Sequence, residues 1–403
     1  MTVPTHPLKS SLLTTRRSAV GLILGAPLLA GCAGMSGLTG TDQPPPGPSG
    51  PQQEAIAVGK GQVKVGLILP LSGAGNAGIA GNSMKNAAEM ALAEFQNPDI
   101  QLLIKDDAGT PQGAQTAAQQ ALGEGAEIIL GPLFGLSVAG VAQQARSRNI
   151  PVIAFSTDAS VAGQGVYLLS FLPESDVNRI TDYSTSTGKR SFAALLPENA
   201  YGNVVEAAFK QAVARKGARM IAFEKYTSDP NQVQTAVRNV AQALGGADAL
   251  LLADDGDVLV QLSSQLAGAG ADLKRVQLLG TGLWDNPKVF ADQHLQGGYY
   301  AAPDPSGYRA FAKRYRGKYG QDPVRTATLA YDAVALVAAL SRVNSGGGPR
   351  FSAEVLTNVS GFTGIDGLFR FRPNGTNERG LAVLRVAASG GQIASASPKS
   401  FGA

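Results

Sequence analysis

Short apolar segments alternate with longer segments of helical period from Val63 onward. The apolar segments are rich in Val, Ile, Leu and Phe and end in Gly, Pro, Asp or Ser, which is typical of strands buried on both faces of a parallel sheet. They are VKVGLILP, IQLLIKD, AEIILGP, IPVIAFS, SFAALLP, ARMIAFEK, ADALLLAD and RVQLLGT. The alternation predicts an α/β fold.

The segment SMKNAAEMALAEFQ shows the helical period most clearly. Its apolar residues recur every three or four positions and form one stripe that would cover a sheet. They are Met84, Ala87, Ala88, Ala91, Leu92 and Phe95. This pattern predicts a helix that begins near Ser83.

Two βα series follow one another, with a break at VYLLSFLPESD (Val166 to Asp176). There an apolar run leads into a helix that Ser175 or Asp176 would cap. We therefore predict two doubly wound parallel-sheet lobes. Near the end, GLFRFRPNGTNERGLAVLRVA reads as two strands joined through the turn residues Pro373 to Gly375, which predicts a hairpin.

Ligands of open parallel sheets bind beyond the carboxyl ends of the strands, where strand order reverses. Polar residues and glycines gather at the predicted strand ends of this chain. They are Ser72, Gly73, Asp106, Asp107, Gly131 to Phe134, Ser156, Thr157, Asp158, Asn199, Tyr201, Gly202, Asp254, Asp255, Thr281 and Trp284.

The residues Gly73, Gly75 and Gly78 spell the G-x-G-x-x-G of dinucleotide sites. In those sites a helix begins at the third glycine and an acid follows about twenty residues later. Here Ile79 to Asn82 precede the predicted helical stripe, and the next acidic strand end, Asp106-Asp107, lies too far on. We expect no nicotinamide cofactor, and interpret the loop as a tight turn or a close approach to a ligand.

The composition is that of a folded globular protein. The chain has 403 residues, 44% of them apolar, and a formal charge of +4. Without the first 31 residues, which hold three bases and no acid, 31 bases face 30 acids. A near-neutral body without basic clusters gives no sign of nucleic-acid binding.

Catalytic residues are scarce. Cys32 is the single cysteine, and beyond the N-terminal segment His294 is the remaining histidine, which rules out Cys-His chemistry and His/Cys metal clusters. His294 lies in ADQHLQGG, without a serine elbow or partner motif, and we predict a surface loop. A glycosidase-like carboxylate pair stays possible, but no pair is singled out. We expect no enzyme activity, no cofactor and no metal.

The N-terminal segment 1–31 reads as an export signal. The apolar run Ala19 to Gly31 follows Arg16-Arg17 and is too short to span a membrane. It ends in Leu-Ala-Gly-Cys, which resembles a bacterial lipobox and implies that Cys32 carries lipid. The alternative is a buried lone cysteine. The arginine pair also permits twin-arginine export, so the route stays open.

Residues 32–61 are dense in Gly, Pro, Ser and Gln, and we predict that they form a tether. Acyl chains on Cys32 would attach the protein stably to a membrane. Ala33 after the cysteine resembles the sequence of lipoproteins sorted to the outer membrane, so a periplasmic location with an inner- or outer-membrane anchor is expected, the outer membrane being favoured.

The order of VGLILPLSG, IKDDAGTP, EIILGPL, IPVIAFS, ALLPENAYG and GLFRFRPNG resembles type I periplasmic binding proteins of the leucine/isoleucine/valine-binding family. The resemblance covers nearly everything after Val63. It implies lobes at 62–172 with 302–361 and at 173–301 with 362–395. Three chain crossings would join them at Val166 to Pro173, Gly298 to Pro303 and Phe362 to Phe371.

This resemblance also implies a function. Such proteins close on a small molecule and present it to an ABC permease. IILGPLF, VIAFSTD and FAALLPENAYG are still more similar to lipoproteins known as penicillin-binding protein activators, whose presumed role is to regulate a peptidoglycan synthase. Importer and activator both stay open, because a shared fold does not settle function.

The family's motif positions imply a ligand site. Where members grip an α-carboxylate with a serine, this chain has Gly135, and the next pair falls on Ser156 and Asp158. Asp158 would repel a carboxylate, so cationic or neutral ligands are favoured over zwitterionic amino acids. The full expected set is Ser72, Phe134, Gly135, Ser156, Thr157, Asp158, Tyr201, Asp254 and Trp284.

Each of the distinctive positions has an alternative. Tyr201 would close over the ligand, Asp254 or Asp255 would hold an ammonium group and Trp284 would add an apolar wall. Alternatively, Asp158 caps a turn, the two aspartates cap a helix, and the two aromatic residues pack at the rim.

Overall fold

The computed structural model describes residues 56–343 and 349–402. The predicted export signal, the lipidation site Cys32 and most of the tether therefore lie outside the described residues. Ile56–Val58, at the end of the expected tether, form an edge strand. Within the described ranges, no helix combines the length and the apolar character that a membrane span requires.

The first sheet is built from the first βα series. Its order is β1-β3-β2-β4-β5-β6, parallel except for β1, which runs antiparallel to β3. The strands are β1 (Ile56–Val58), β2 (Val63–Leu69), β3 (Ile100–Asp106), β4 (Ile128–Leu130), β5 (Val152–Ala154) and β6 (Val166–Leu168), with helices α1 (Asn76–Glu94), α2 (Pro111–Gly123) and α3 (Gly135–Arg146) between them. The predicted α/β alternation is confirmed.

Helix α1 begins at Asn76, inside the glycine motif, so the predicted start near Ser83 is wrong. The part of the spacing argument that rests on the helix start therefore fails, whereas the part that rests on the distant acidic strand end, Asp106-Asp107, is unaffected. The glycines instead permit close packing of the helix on the loop before it. A Cβ on Gly78 would lie 2.2 Å from the carbonyl oxygen of Gly73, and one on Gly81 would lie 2.6 Å from that of Pro70.

The second sheet is built from the second βα series. Its order is β16-β15-β11-β10-β9-β7-β8. Its earlier elements are α4 (Pro173–Ser186), β7 (Ser191–Pro197), α5 (Ala200–Arg215), β8 (Arg219–Tyr226), α6 (Pro230–Ala243), β9 (Ala249–Leu252), α7 (Gly256–Gly268), β10 (Gln277–Gly280), α8 (Pro287–Ala291) and β11 (Tyr299–Ala302). The predicted cap of α4 at Ser175 or Asp176 is wrong, because the helix already begins at Pro173, which suits a first helical position.

The chain then returns to the first sheet and leaves it again. Helix α10 packs against α1, and both contribute to the core of the first sheet. The remaining elements are α9 (Pro305–Tyr319), α10 (Ala327–Val343), α11 (Ala353–Leu356), β12 (Phe362–Gly364), β13 (Gly367–Phe371), β14 (Asn377–Arg379), β15 (Ala382–Ala387) and β16 (Gly390–Ser395). The predicted hairpin is present as the antiparallel pair β13–β14.

The small sheet β12-β13-β14 packs on the first sheet. Phe369 and Phe371 belong to the same buried core as the strands of the first sheet. The N–H of Leu168 donates to the carbonyl of Gly375 at 2.8 Å. Strand β15 instead pairs with β11 of the second sheet. The chain thus changes sheets between Arg379 and Ala382, later than the expected crossing at Phe362 to Phe371.

Candidate functional site

Gly135, Ser156 and Asp158 lie together at the carboxyl edge of the first sheet. A Cβ on Gly135 would lie 3.1 Å from the Oγ of Ser156 and 3.3 Å from Oδ2 of Asp158. Ser156 is buried, and its Oγ accepts a hydrogen bond of 3.0 Å from the Asp158 N–H. The absence of a side chain at Gly135 therefore leaves room for the Asp158 carboxylate.

Asp158 also caps a turn, the role that the sequence offered as an alternative to ligand binding. Its Oδ1 accepts hydrogen bonds from the N–H of Ser160 at 2.9 Å and from the hydroxyl of Ser160 at 2.6 Å. Only one carboxylate oxygen is used in this way. The side chain is exposed, so capping leaves Oδ2 directed away from these bonds and available to other partners.

Ser72, Phe134 and Thr157 follow strands β2, β4 and β5 at the same edge of the first sheet. The N–H of Ser72 donates to Oδ1 of Asp106 at 3.2 Å. Phe134, the residue before α3, is 36% exposed, and its ring lies beside Gly109. Thr157 is exposed. These residues surround the strand ends without a direct hydrogen bond to Ser156 or Asp158 among the described contacts.

Tyr201 and Thr281 join two strand ends of the second sheet. Their hydroxyl oxygens are hydrogen-bonded at 2.7 Å. Asn199 caps α5 by accepting from the N–H of Gly202 at 2.8 Å, which places Tyr201 in the first turn of the helix. Burial raises the pKa of Tyr201, and the charges of Asp176 and Asp254 raise it further, so the hydroxyl stays protonated.

Asp254 and Asp255 separate into two roles. Asp255 caps α7 by accepting hydrogen bonds from the N–H groups of Asp257 at 3.0 Å and Val258 at 3.2 Å. This is the helix-capping role that the sequence offered as an alternative to ligand binding. Asp254 instead accepts a hydrogen bond of 2.5 Å from the hydroxyl of Tyr226. Asp254 is therefore the residue of this pair that could meet a ligand.

Trp284 does not form a wall of the site. It is wholly buried, and its indole N–H donates to the carbonyl of Leu252 at 2.9 Å. Its ring fills the space above Gly280, where a Cβ would lie 2.3 Å from it. The predicted ligand contact at Trp284 is thus unsupported, because the indole finds both an apolar core and a partner for its N–H inside the lobe.

Asp176 lies next to the candidate site, and sequence reasoning did not assign it there. It lies in the first turn of α4, and its Oδ2 accepts from the N–H of Gly282 at 2.9 Å, next to Thr281. Burial raises the pKa of Asp176 to about 7, although the Gly282 N–H and Arg379 lower it. The sequence PESD contained this signal, but Asp176 was interpreted there as a helix cap.

Glu174 connects the two groups of residues. Burial raises its pKa, and the nearby charge of Asp158 from the first sheet raises it further. Glu174 in turn raises the pKa of Asp176, and Asp176 raises that of Tyr201. This series of electrostatic neighbours joins the carboxyl edges of both sheets, and Arg372, Arg379 and Arg325 act on the same acids with opposite charge.

The described part of the chain has no metal-binding cluster, since no group of three or more of its His, Cys, Asp or Glu side chains could hold a metal ion. His294 lies in a turn as predicted, and its N–H donates to Asp292 at 2.9 Å. The arrangement is suited to hydrogen bonding and charge recognition.

A second surface feature is a groove between α6 and α7. Its apolar floor includes Val237, Val258 and Leu262, and polar side chains, among them the charged Glu198 and Arg238, surround it. It reaches Tyr226 and Asp254 at one end. This groove lies within the second sheet's own helices and is a competing place for a ligand.

The chain belongs to the periplasmic binding protein family. The family model matches residues 62–392, which is most of the chain and nearly all of its described part. The same fold occurs in a branched-chain amino acid ABC transporter periplasmic ligand-binding protein from Burkholderia xenovorans. That structure superposes with a TM-score of 0.68 at 18% identity, over 84% of this chain and 96% of the other.

Two curated relatives represent the two functions that the sequence left open. A Leu/Ile/Val-binding protein homolog of Brucella melitensis is 25% identical over 233 residues, which are 55% of this chain and 61% of the relative. Penicillin-binding protein activator LpoA of Haemophilus ducreyi is 27% identical over 212 residues, 50% of this chain and 35% of the relative. The chain thus spans less than two thirds of the length of either relative.

Proposed function

We propose that this protein is a ligand receptor of the bacterial envelope that closes two lobes on a small molecule. Lobe 1 comprises 56–172 and 305–379, and lobe 2 comprises 173–302 and 382–395. The supporting observation is the series of polar residues that joins the two sheet edges, from Ser156 and Asp158 through Glu174 and Asp176 to Tyr201. Open parallel sheets bind ligands at this edge.

The site favours cationic or neutral ligands, such as amines and amides, over simple amino acids. Gly135 offers no hydroxyl to a ligand carboxylate, and the carboxylate of Asp158 lies next to it. Asp254 adds negative charge on lobe 2, and Asp176 adds more above about pH 7. Proteins of the same fold have been solved with leucine, benzoate and 3,4-dihydroxybenzoic acid, so the fold itself admits several ligand classes.

Delivery to an ABC permease and a lipid anchor complete the proposal. The protein acts without making or breaking covalent bonds, and its Cys32 carries the acyl chains that hold it to the membrane. Replacement of Cys32 by alanine should release the protein from the membrane fraction. Equal membrane retention of both forms would reject the anchor but not the receptor.

A thermal-shift screen tests ligand binding. The panel contains amino acids, their amides, alkyl diamines and aromatic acids, and a ligand that binds only the folded protein raises its Tm. Amides or diamines should give the largest shift, which Asp158→Asn should reduce. Glu127→Gln serves as the charge-matched control, because Glu127 precedes β4 at the opposite edge of the first sheet and pairs there with Arg350 at 3.5 Å. A panel without any shift would reject the proposal.

The second candidate is an activator of peptidoglycan synthesis that works through protein contacts. The match to the Haemophilus activator over half of this chain favours it. Crosslinking in cells should then recover a peptidoglycan synthase, and deletion should alter glycan synthesis. Recovery of permease components alone would reject this candidate and support the importer.

A further inference from the structure

The groove between α6 and α7 has acidic side chains at one end and a basic side chain farther along. Glu198 lies at the carboxyl edge of the second sheet, where its N–H donates to the carbonyl of Tyr226 at 2.7 Å, and it lines the start of the groove. The carboxylate of Asp254 lines the same end and accepts from the hydroxyl of Tyr226 at 2.5 Å. Arg238 lines the groove about two turns into α6.

The charges of Glu198 and Arg238 are available to a ligand. Both side chains are exposed, and neither forms an ion pair within the described residues. The guanidinium of Arg238 reaches the hydroxyl of Thr235 at 3.5 Å, which is a weak contact. By contrast, Lys225 of β8 and Glu206 of α5, outside the groove, pair at 3.2 Å. The groove therefore presents two opposite charges that this part of the chain does not neutralise.

The walls of the groove can hydrogen-bond to an extended chain. Five exposed polar side chains line them, and none of the five makes a side-chain hydrogen bond within the described residues. They are Asn231, Gln234, Gln261, Ser264 and Gln265. Amide side chains both donate and accept, as an extended peptide backbone requires. A helix already satisfies most of its own backbone groups and would leave these side chains unused.

The separation of the charges matches a short peptide. Arg238 lies seven residues after Asn231, at the acidic end, which corresponds to about 10 Å along the helix axis. About three or four residues of an extended chain span that distance. The groove encloses about 1490 Å³, which is ample space for such a peptide. Its apolar floor would contact the side chains that the peptide directs inward.

We propose that the groove between α6 and α7 is a second binding site, which takes a short linear peptide with a free amine and a free carboxylate. The ammonium group of the peptide meets Glu198 and Asp254, and its carboxylate meets Arg238. The peptide backbone bonds to the polar side chains of the two walls. The site lies on lobe 2 alone, so the inference goes beyond the proposed function and does not require the lobes to close.

Calorimetric titration with tetra-alanine tests the proposal. The protein is the full chain with Cys32→Ser, and the matched ligands are N-acetylated and C-amidated tetra-alanine. The free peptide should bind, and each blocked form should bind about fivefold more weakly, because each lacks one charge pair at a partly exposed site.

Variants assign each charge to one end of the peptide. Glu198→Gln should weaken binding of the free peptide about fivefold and leave the affinity for the N-acetylated form unchanged. Arg238→Gln should act in the same way on the free and C-amidated forms. Glu127→Gln and Lys313→Gln, which change charges of lobe 1, should alter none of these affinities.

A steric variant tests the location independently of charge. Ser264→Trp places a large ring in the groove from an exposed position of α7 and should remove binding of all three peptides. Gln211→Trp, at an exposed position of α5 outside the groove, should bind them like the wild type.

Four outcomes would overturn the inference. They are no binding of tetra-alanine at millimolar concentration, equal affinities for the free and blocked forms, binding that survives Ser264→Trp, and a preference for a longer amphipathic helical peptide.

The test also separates this site from the cleft. If Asp158→Asn weakens binding of tetra-alanine and Glu198→Gln does not, the peptide occupies the cleft, which overturns the second site and supports the proposed function. Charge-dependent binding in the groove, together with a ligand panel that gives no thermal shift, would support the second site and reject the proposed function alone.

Discussion

The hydroxyl of Tyr201 lies 2.7 Å from Oγ1 of Thr281, so that helix α5 and the end of β10 are joined at the carboxyl edge of the second sheet. The bond fixes the aromatic ring near Asp176 and Asp254. Burial raises the pKa of its hydroxyl, and the charges of these two acids raise it further, so the hydroxyl stays protonated. A ligand that enters this edge meets a fixed ring and a hydroxyl, which is the arrangement expected of a binding residue.

Tyr201→Phe tests this arrangement. Loss of one hydrogen bond should lower the free energy of unfolding by about 1 kcal/mol and weaken ligand binding. Calorimetric titration and chemical denaturation measure the two effects. Tyr319→Phe removes a 2.7 Å bond to the carbonyl of Asn86 in lobe 1 and should reduce stability similarly without affecting affinity. Equal affinities in all three proteins would remove Tyr201 from the site.

Gly135→Ala tests the packing around Asp158. The added methyl group would lie 3.1 Å from Ser156 Oγ and 3.2 Å from Asp158 Cβ, so both side chains must shift by a few tenths of an ångström. We expect affinity to fall about tenfold while stability changes by less than about 1 kcal/mol. Calorimetric titration measures the affinity.

Gly140→Ala is the control on the same helix. Its methyl group would make an ordinary contact of 3.5 Å with Gln115, so we expect unchanged affinity and a gain of about 0.5–1 kcal/mol in stability. If both alanine variants bind ligand with wild-type affinity, ligand binding does not require the space that Gly135 leaves for Asp158 and Ser156.

Asp332→Asn tests the protonation state of a buried carboxyl group in α10. Burial raises the pKa of Asp332 from 3.8 to about 7. Between pH 3.8 and about 7, Asp332 is therefore protonated in the folded wild type but ionised in the unfolded chain. The free energy of unfolding of the wild type falls as the pH rises through this range. The asparagine of the variant does not titrate, so the variant does not lose stability in this way. The free energy of unfolding of Asp332→Asn relative to wild type should therefore rise by up to about 1.4 kcal/mol for each pH unit in this range.

Urea denaturation at pH 4.5, 6 and 8 measures this difference. Asp322→Asn, on the exposed surface, should follow the pH dependence of the wild type. A constant difference between Asp332→Asn and wild type across the three pH values would show that Asp332 is charged throughout.

Trp284 is the single tryptophan of the chain and reports on the core of lobe 2. Because it is wholly buried, its fluorescence should be blue-shifted, resist acrylamide quenching and stay unchanged when ligand binds. Gly280→Ala, whose Cβ would lie 2.3 Å from the ring, should lower stability by about 3 kcal/mol. Gly268→Ala, with open space around it, is the control. Strong quenching of the folded wild type would place Trp284 at the surface.

Local sequence patterns were sufficient for most of the fold. VKVGLIL and IQLLIKD became the paired strands β2 and β3 because buried parallel strands read as continuous apolar runs. The start of α1 was missed because glycines normally interrupt a helix, whereas Gly78 and Gly81 are needed here for close packing. Pro373 to Gly375 predict the β13–β14 hairpin, but the sequence pattern does not show which sheet this hairpin packs on.

The site was only partly accessible from the sequence. Ser156, Asp158 and Tyr201 follow strand ends, and the structure brings the first two together and gives Tyr201 a partner. Trp284 also follows a strand end, but its large apolar surface is buried instead. The hydrogen bond from the N–H of Gly282 to Asp176 joins residues about a hundred positions apart in the sequence, and no local pattern can predict such a pair.

Hydrogen–deuterium exchange with the compound that gives the largest thermal shift tests the central claim most directly. If the ligand is held between the lobes, backbone amides around Ser156 to Asp158 in lobe 1 and around Tyr201 in lobe 2 should become protected together. Protection confined to the groove between α6 and α7, or to one lobe alone, would contradict closure of the two lobes on a ligand.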